Sequence, residues 1–539
     1  MILINTFHKM KNIFKYICAN SRKISFAFIA LFFITFPMIL TYDSAHYMGY
    51  VNILEKKVPF ATWDIVRGPV FPILIFFSNF FFGKTSIGLV LLSLIFYLLM
   101  LFVSTKVLNV FSRGNQTSKY ISYLLFILLV VFNIIIFGYF HTLLTEFVAI
   151  SISVVSCYLS WLLLTKSFKN EKKSYLLISL YFVLITTFAW FLKQPYLSIA
   201  LYPLVVSTII SIFKSKLIKS FIPQFTVILI CVISLFFSIK LWNNVLEYKG
   251  IKMEGPRSAS GLLSYYLINP LENYEIIKDT DEEYIRNGKF LSQEERKSIK
   301  EKDSGIRIVE VYNRRGELID QMIIETNSDG TASTTNSLKF IVKASFIHPL
   351  ETLESYTINY LGLINVYQPK TNNSHDYYVE KNFRLSGCYE NCAIASIIGQ
   401  TRNNIYYIPE NMFYRVADYE QSLNSPYIFR FVLNKLKTVS IVSFNVSFLL
   451  LPIALIVAIL YMIFGIKKVD RKSKEQMSLV LILLGYSFLH LCTHAVTSAV
   501  IDRYASPAYI TTILGYIGLF SIIIKSFNKN KFKRLRTND

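Results

Sequence analysis

Cysteine is scarce in this chain, six among 539 residues, which excludes a disulfide-stapled secreted scaffold. Cys18, Cys157, Cys231 and Cys492 lie in or beside apolar runs. Cys388 and Cys392, spaced Cys-Tyr-Glu-Asn-Cys, suit a local disulfide in an oxidising compartment. A metal pair there lacks two further ligands nearby. Internal repeats and low-complexity tracts are absent, which weakens a transporter built from inverted repeats. His490 and His494 have the i, i+4 spacing of zinc ligands, but no glutamate follows the first of them as in His-Glu-x-x-His. Acid is also short: 34 Asp and Glu against 56 Lys and Arg, for a formal net charge of +22.

What the chain has in abundance is apolar surface, 53% hydrophobic and 16% aromatic, with a mean hydropathy of +0.44. No soluble domain of this size needs so much. Runs of about 20 apolar residues recur, each long enough to cross a hydrocarbon core roughly 30 Å thick. About ten spans are predicted, over 24–42, 85–105, 120–140, 144–165, 175–192, 196–213, 220–241, 441–465, 477–499 and 506–525. The first is too long for a signal-peptide core and lacks a small-residue cleavage site, so it reads as a retained anchor. The stretch 69–83 is apolar but short, and reads as interfacial or as dipping into the outer leaflet.

The excess of base is an orientation signal. Segments 1–23, 105–119, 166–174, 214–220, 466–476 and 525–539 carry 26 Lys and Arg, against six in the short connections of the other side. That asymmetry places both termini in the cytoplasm and argues against a nucleic-acid partner. The expected architecture is a polytopic α-helical membrane protein of the plasma (inner) membrane. Residues 1–242 form an N-terminal bundle, 243–438 a large mixed α/β extracytoplasmic loop domain, and 439–539 the last helices and a basic cytoplasmic tail. Within the loop, 306–325 alternates as a strand pair around Arg314-Arg315-Gly316. Residues 339–364 read as an amphipathic helix broken at Pro349.

Ionisable side chains collect at the outer ends of the spans, and such groups at a membrane boundary point to function. Asp43 follows the first span and opens a loop that closes on Arg67-Gly68-Pro69-Val70-Phe71-Pro72. Glu146 opens the fourth span, Lys193-Gln194-Pro195 forms a tip, His490 and His494 lie one turn apart, and Asp502-Arg503-Tyr504 precedes the last span. Each has a plain alternative. Asp43 would equally cap a surface helix, Arg503, Lys193 and Arg67 would snorkel to lipid headgroups, and Glu146 would sit at a helix start favoured by the dipole. His490 and His494 would hydrogen-bond within the bundle, and His46 would face water.

The set Tyr42-Asp43-Ser44, Arg67-Gly68-Pro69-Val70-Phe71-Pro72 leading to Phe82-Gly83, Thr145-Glu146, and Arg503-Tyr504-Ala505-Ser506-Pro507 resembles the GT-C superfamily of polyprenyl-phosphate-sugar glycosyltransferases. That group includes protein O-mannosyltransferases and the aminoarabinose transferases of lipid A. The likeness covers about the first 200 residues and the last 40. It departs where Ser44 follows Asp43 in place of a second carboxylate, and where Gly68-Pro69 stands in place of two prolines. The resemblance implies a GT-C-like bundle and transfer of a sugar from a polyprenyl-phosphate donor to a hydroxyl of a cell-surface glycan, lipid or protein. Asp43 would be the general base, Glu146 a second catalytic carboxylate or the ligand of a divalent cation, and Arg503, Lys193 and Arg67 would meet the donor phosphate. His46, His490 and His494 would be accessory.

Three competitors remain at this stage. An O-antigen-type polymerase or ligase would lean on Arg384, His348 and His375 and leave Asp43 dispensable. A transporter or flippase would place its ionisable groups near mid-membrane. A scaffold would need far fewer spans as an anchor.

Overall fold

The computed structural model describes residues 42–63, 68–83, 86–112, 116–168, 172–214, 221–251, 278–279, 306–326, 332–334, 337–364, 427–465, 471–497 and 502–536. The predicted span 24–42 lies almost wholly outside them, as do Arg67, His375, Arg384, Cys18, Cys388 and Cys392. The described part is a polytopic α-helical membrane protein. Eight of its helices are long and apolar enough to cross a bilayer.

Chain order begins with two short helices, α1 (Tyr42–Leu54) and α2 (Val70–Phe82), joined through a 3-10 turn at Phe60–Thr62. The bundle follows as α3 (Ser86–Phe111), α4 (Gln116–Phe126), α5 (Ile134–Phe140), α6 (Glu146–Phe168), α7 (Lys172–Leu192), α8 (Leu197–Lys214) and α9 (Phe221–Tyr248). A four-stranded antiparallel sheet comes next, in sequential order: β1 (Lys278–Asp279), β2 (Ile306–Tyr312), β3 (Leu318–Thr326) and β4 (Ala332–Thr334). Helices α10 (Ser337–Ile347) and α11 (Pro349–Leu363) lead on to the bundle helices α12 (Tyr427–Leu460), α13 (Arg471–Thr497) and α14 (Ser506–Arg536).

Burial separates the bundle into a core and a lipid-facing shell. Helices α6, α13 and α14 are buried over most of their length, whereas α9 and α12 leave most of theirs exposed. Many polar side chains inside the core are closed by neighbouring backbone, as burial without a partner would be costly. Ser151 donates to the Phe96 carbonyl at 2.9 Å, Ser160 to that of Pro203 at 2.7 Å, and Ser153 to that of Pro507 at 2.7 Å. At the opposite end, Trp161 Nε1 donates to the Glu475 carbonyl, Gln476 Nε2 to that of Val110, and Lys525 Nζ to that of Phe111.

Two expectations need correction. Asp43 does not open a loop: it is the second residue of α1. Ser44 and every residue from Tyr47 to Ile53 are buried, so α1 is packed into the protein on all sides and is not a surface helix. The run 120–140 is not one regular helix. It passes from α4 through a π-helical turn at Ile127–Val131, breaks at Phe132 and Asn133, and restarts as α5. Asn133 Oδ1 accepts from the amides of Ile135 and Ile136 at 3.0 and 3.2 Å, an N-cap inside an apolar run. Its Nδ2 donates to the Tyr509 hydroxyl at 2.9 Å, which ties the break to α14.

The strands around Arg314-Arg315-Gly316 pair as a hairpin with a register shift near Tyr312. The hairpin is fastened to the two helices that follow it. Lys343 pairs with Asp320 at 2.8 Å, Arg314 with Glu351 at 3.3 Å, and His348 Nε2 donates to the Tyr312 carbonyl. His348 is thus engaged between hairpin and helix. Pro349 starts α11, as a proline at the first helical position should.

Candidate functional site

Four separate segments meet at one end of the bundle through a chain of short contacts. The Ser44 hydroxyl donates to the Leu143 carbonyl at 2.8 Å. That bond ties the start of α1, one residue from Asp43, to the turn that delivers Glu146. Tyr47 meets the Phe71 ring edge-on at 4.7 Å, and Phe71 meets Phe147 at 5.7 Å. These rings join α1, α2 and α6 just behind the same three motifs. Gly68 presses on the backbone of Phe191, where a Cβ would fall 1.9 Å from the carbonyl oxygen. Only a residue without a side chain lets the Gly68-Pro69 turn lie against the end of α7, two residues before Lys193.

Lys193 is half-buried in extended backbone ahead of the 3-10 turn Gln194–Tyr196. Its ammonium stands 4.5 Å from the centre of the Tyr504 ring and 5.9 Å from that of Tyr196. Such faces attract a cation without neutralising it. Tyr504 stacks flat on His494 at 5.1 Å, and His494 meets His490 at 4.5 Å. His490 is held at both nitrogens, Nδ1 by the Ser198 hydroxyl at 2.8 Å and Nε2 by the Tyr504 carbonyl at 2.9 Å. A carbonyl only accepts, so Nε2 donates to Tyr504, while the Ser198 hydroxyl also stands 2.9 Å from the Pro195 carbonyl.

Glu146 is fully buried as the first residue of α6, with the Thr145 hydroxyl 3.4 Å from its Oε2. The dipole of a 23-residue helix favours a carboxylate at that position. His141, in the turn between α5 and α6, is buried, and its Nδ1 donates to the Phe137 carbonyl at 2.9 Å. Burial pushes its pKa down to about 4, against a smaller upward pull from that hydrogen bond.

The sequence-predicted residues thus divide. Lys193, His490 and His494 are in one cluster with Tyr504, and Arg503 sits in the same 3-10 turn, Asp502–Ala505, one residue earlier. Glu146 and the backbone of Asp43 and His46 belong to an adjoining group joined by Ser44 and Phe71. Arg67 lies outside the described residues, immediately before Gly68. Among the described residues no group of three His, Cys, Asp or Glu side chains is placed to hold a metal ion.

Sequence reasoning misses Tyr504 as the centre of the cation cluster and Ser198 as the group that orients His490. Tyr504 stands in the quoted motif, so its presence is visible but its contacts are not. Ser198 is 292 positions from His490, and no local pattern connects them. No protein-family model matches the chain, and no curated protein or solved structure is matched by it.

Proposed function

We propose that this protein is a membrane glycosyltransferase of the GT-C kind, acting on the outer face of the plasma membrane. It takes a sugar from a polyprenyl-phosphate donor and passes it to a hydroxyl of a surface glycan, lipid or protein. One observation carries this reading: the four segments that hold Asp43, Gly68, Glu146 and Lys193 are cross-linked at the same end of the bundle, with Tyr504 and the histidine pair beside them.

In this mechanism the acceptor oxygen attacks the anomeric carbon while the bond from that carbon to the phosphate oxygen breaks. The acceptor proton goes to the Asp43 carboxylate, and polyprenyl phosphate departs with the electron pair. Lys193, steadied by Tyr504, and Arg503 meet the charge that grows on the leaving phosphate. Glu146, buried next to Thr145, orients the acceptor side of the site. His490 holds the Tyr504 turn in register through its Nε2 bond to the Tyr504 carbonyl.

The feature that favours a transporter is the interrupted helix α4–α5, since broken helices line transport sites. Its polar groups are closed within the protein by Tyr509 and by the cap of α5, which leaves the enzymatic reading ahead.

The test is Asp43→Asn, assayed in membranes against a panel of undecaprenyl-phosphate-linked sugars, with expression matched to wild type. Transfer should fall by at least about a hundredfold, the lower range for loss of a general base. Transfer at the wild-type rate would overturn the assignment and return the polymerase, ligase and transporter readings.

A further inference from the structure

Helices α10 and α11 belong to the segment expected to stand in water, yet α11 reaches into the bundle. Its buried stripe of Thr352, Ser355, Asn359 and Leu363 faces the membrane helices. Asn359 Nδ2 donates to the Ala495 carbonyl at 3.0 Å, the Tyr360 hydroxyl to that of Phe448 at 3.1 Å, and the Tyr360 ring lies 6.5 Å from Phe488. Phe448 is six residues inside the apolar segment Val442–Phe464, and Phe488 is eight residues inside the end of Ser473–Val496. At 1.5 Å per residue those points lie roughly 9 and 12 Å below the rim of the apolar segments.

The start of α11 and the length of α10 carry large apolar side chains left uncovered among the described residues. Phe346 is 81% exposed, Leu350 68%, Leu353 63% and Val342 45%. Leu353 is seven residues from Tyr360 and Leu350 ten, so they lie at most about 10 and 15 Å along the helix from the Asn359–Tyr360 anchor. Ala495 lies one residue inside the end of its apolar segment, so the anchor runs from the rim down to Phe448 and Phe488, and an α11 inclined to the membrane normal carries Leu353 and Leu350 at the headgroup layer, several ångströms deep on each side of the hydrocarbon core. On α12, whose Phe448 carbonyl accepts from the Tyr360 hydroxyl, Val439, Val442 and Val446 are likewise exposed. Exposed Lys339 and Glu354, and Glu351 paired to Arg314, supply the polar atoms an interfacial helix keeps at headgroup level.

We infer that α10 and α11 form a lipid-binding surface: Phe346, Leu350 and Leu353 insert into the bilayer leaflet on the site side of the membrane. Because α11 also packs on the Asp502–Ala505 turn that carries Tyr504, this surface fixes the rim of the candidate site to the lipid layer. The inference stands whether or not the glycosyltransferase reading does.

The test uses the full-length protein in phosphatidylcholine/phosphatidylglycerol liposomes, with its six native cysteines replaced. Single cysteines at Phe346→Cys and Leu353→Cys are labelled with an environment-sensitive fluorophore, and Arg315→Cys at the exposed hairpin turn is the aqueous control. Lipid insertion gives blue-shifted emission at 346 and 353, strong quenching by a phosphatidylcholine bearing a doxyl group at carbon 5, and protection from iodide. The control gives the reverse. Iodide quenching at 346 and 353 equal to the control, without doxyl quenching, would place the helices in water and overturn the inference. Shielding from both quenchers would mean that protein covers the patch, and would overturn it equally.

Discussion

Replacing Gly68 with alanine would drive a methyl group into the main chain of α7. The new Cβ would sit 1.9 Å from the Phe191 carbonyl oxygen, 2.5 Å from its carbon and 2.8 Å from its Cα. Ordinary contact begins at 3.4 Å, so the seam between the Gly68-Pro69 turn and the end of α7 must open by about 1.5 Å. Overpacking of side chains costs about 1–3 kcal/mol. Here the obstacle is helix backbone, which has no rotamer to adopt, so the cost should reach about 3 kcal/mol or more. Gly485→Ala is the matched control. Its Cβ would meet Val206 Cγ1 at 3.0 Å, a side chain that can shift by a few tenths of an ångström. The gain of about 1 kcal/mol in helix propensity offsets that strain. The assay is fluorescence-detected size exclusion of detergent-solubilised protein after stepwise heating. Gly68→Ala should melt well below wild type, and Gly485→Ala close to it. Indistinguishable curves for the two variants would refute the claim that this turn and α7 are locked by close approach.

Two further outcomes follow from groups around the site. The pKa of buried His141 is pushed down to about 4 from an ordinary 6.5, so the unfolded chain binds its proton first as pH falls. The stability that this neutral histidine supports is intact above about pH 6.5 and is lost progressively toward pH 4. The loss is on the order of 3 kcal/mol. His141→Phe should flatten that part of the melting-versus-pH profile relative to wild type, and an unchanged slope would contradict it. Tyr504→Leu removes the ring against Lys193 and His494, while Tyr504→Phe keeps it. With cation–π contacts near 1.4 kcal/mol, the leucine variant should raise the KM for lipid-linked donor about tenfold with a smaller change in kcat. The phenylalanine variant should stay close to wild type, and equal KM values for all three would remove Tyr504 from donor binding.

Much of the bundle is legible in the sequence because the bilayer imposes a strong and simple rule on it. The long apolar runs at 85–105, 144–165, 175–192, 196–213, 220–241, 441–465, 477–499 and 506–525 each fall on one of the eight long apolar helices. Pro349 and the Arg314-Arg315-Gly316 turn mark their boundaries through local backbone chemistry. What hydropathy does not encode is tertiary partnership. The break at Asn133 interrupts a run that scores as continuous, and the amide is tolerated there because the hydroxyls of Tyr509 and Ser443 and the backbone amides of α5 satisfy it. Asp43 looks like a loop residue because apolar character stops at Tyr42, but α1 forms and is buried from Tyr47 to Ile53 once its neighbours, α2 among them, pack around it. The histidine spacing at 490 and 494 is plain, whereas their engagement by Ser198 and Tyr504 depends on packing between distant segments.

The Asn133–Tyr509 bond spans 376 positions, and the Asn133–Ser443 bond 310. A ribosome adding about 5–20 residues per second needs roughly 20 to 75 s to travel from the first partner to Tyr509. Through that interval the early half of the chain is already membrane-embedded with a severed helix whose amide awaits its companion. Biogenesis of this protein therefore has an obligatory waiting state, closed only when the last segment slots in. A chain stopped before α14 should be recognised by quality-control proteases as unfinished, however many of its helices have already inserted.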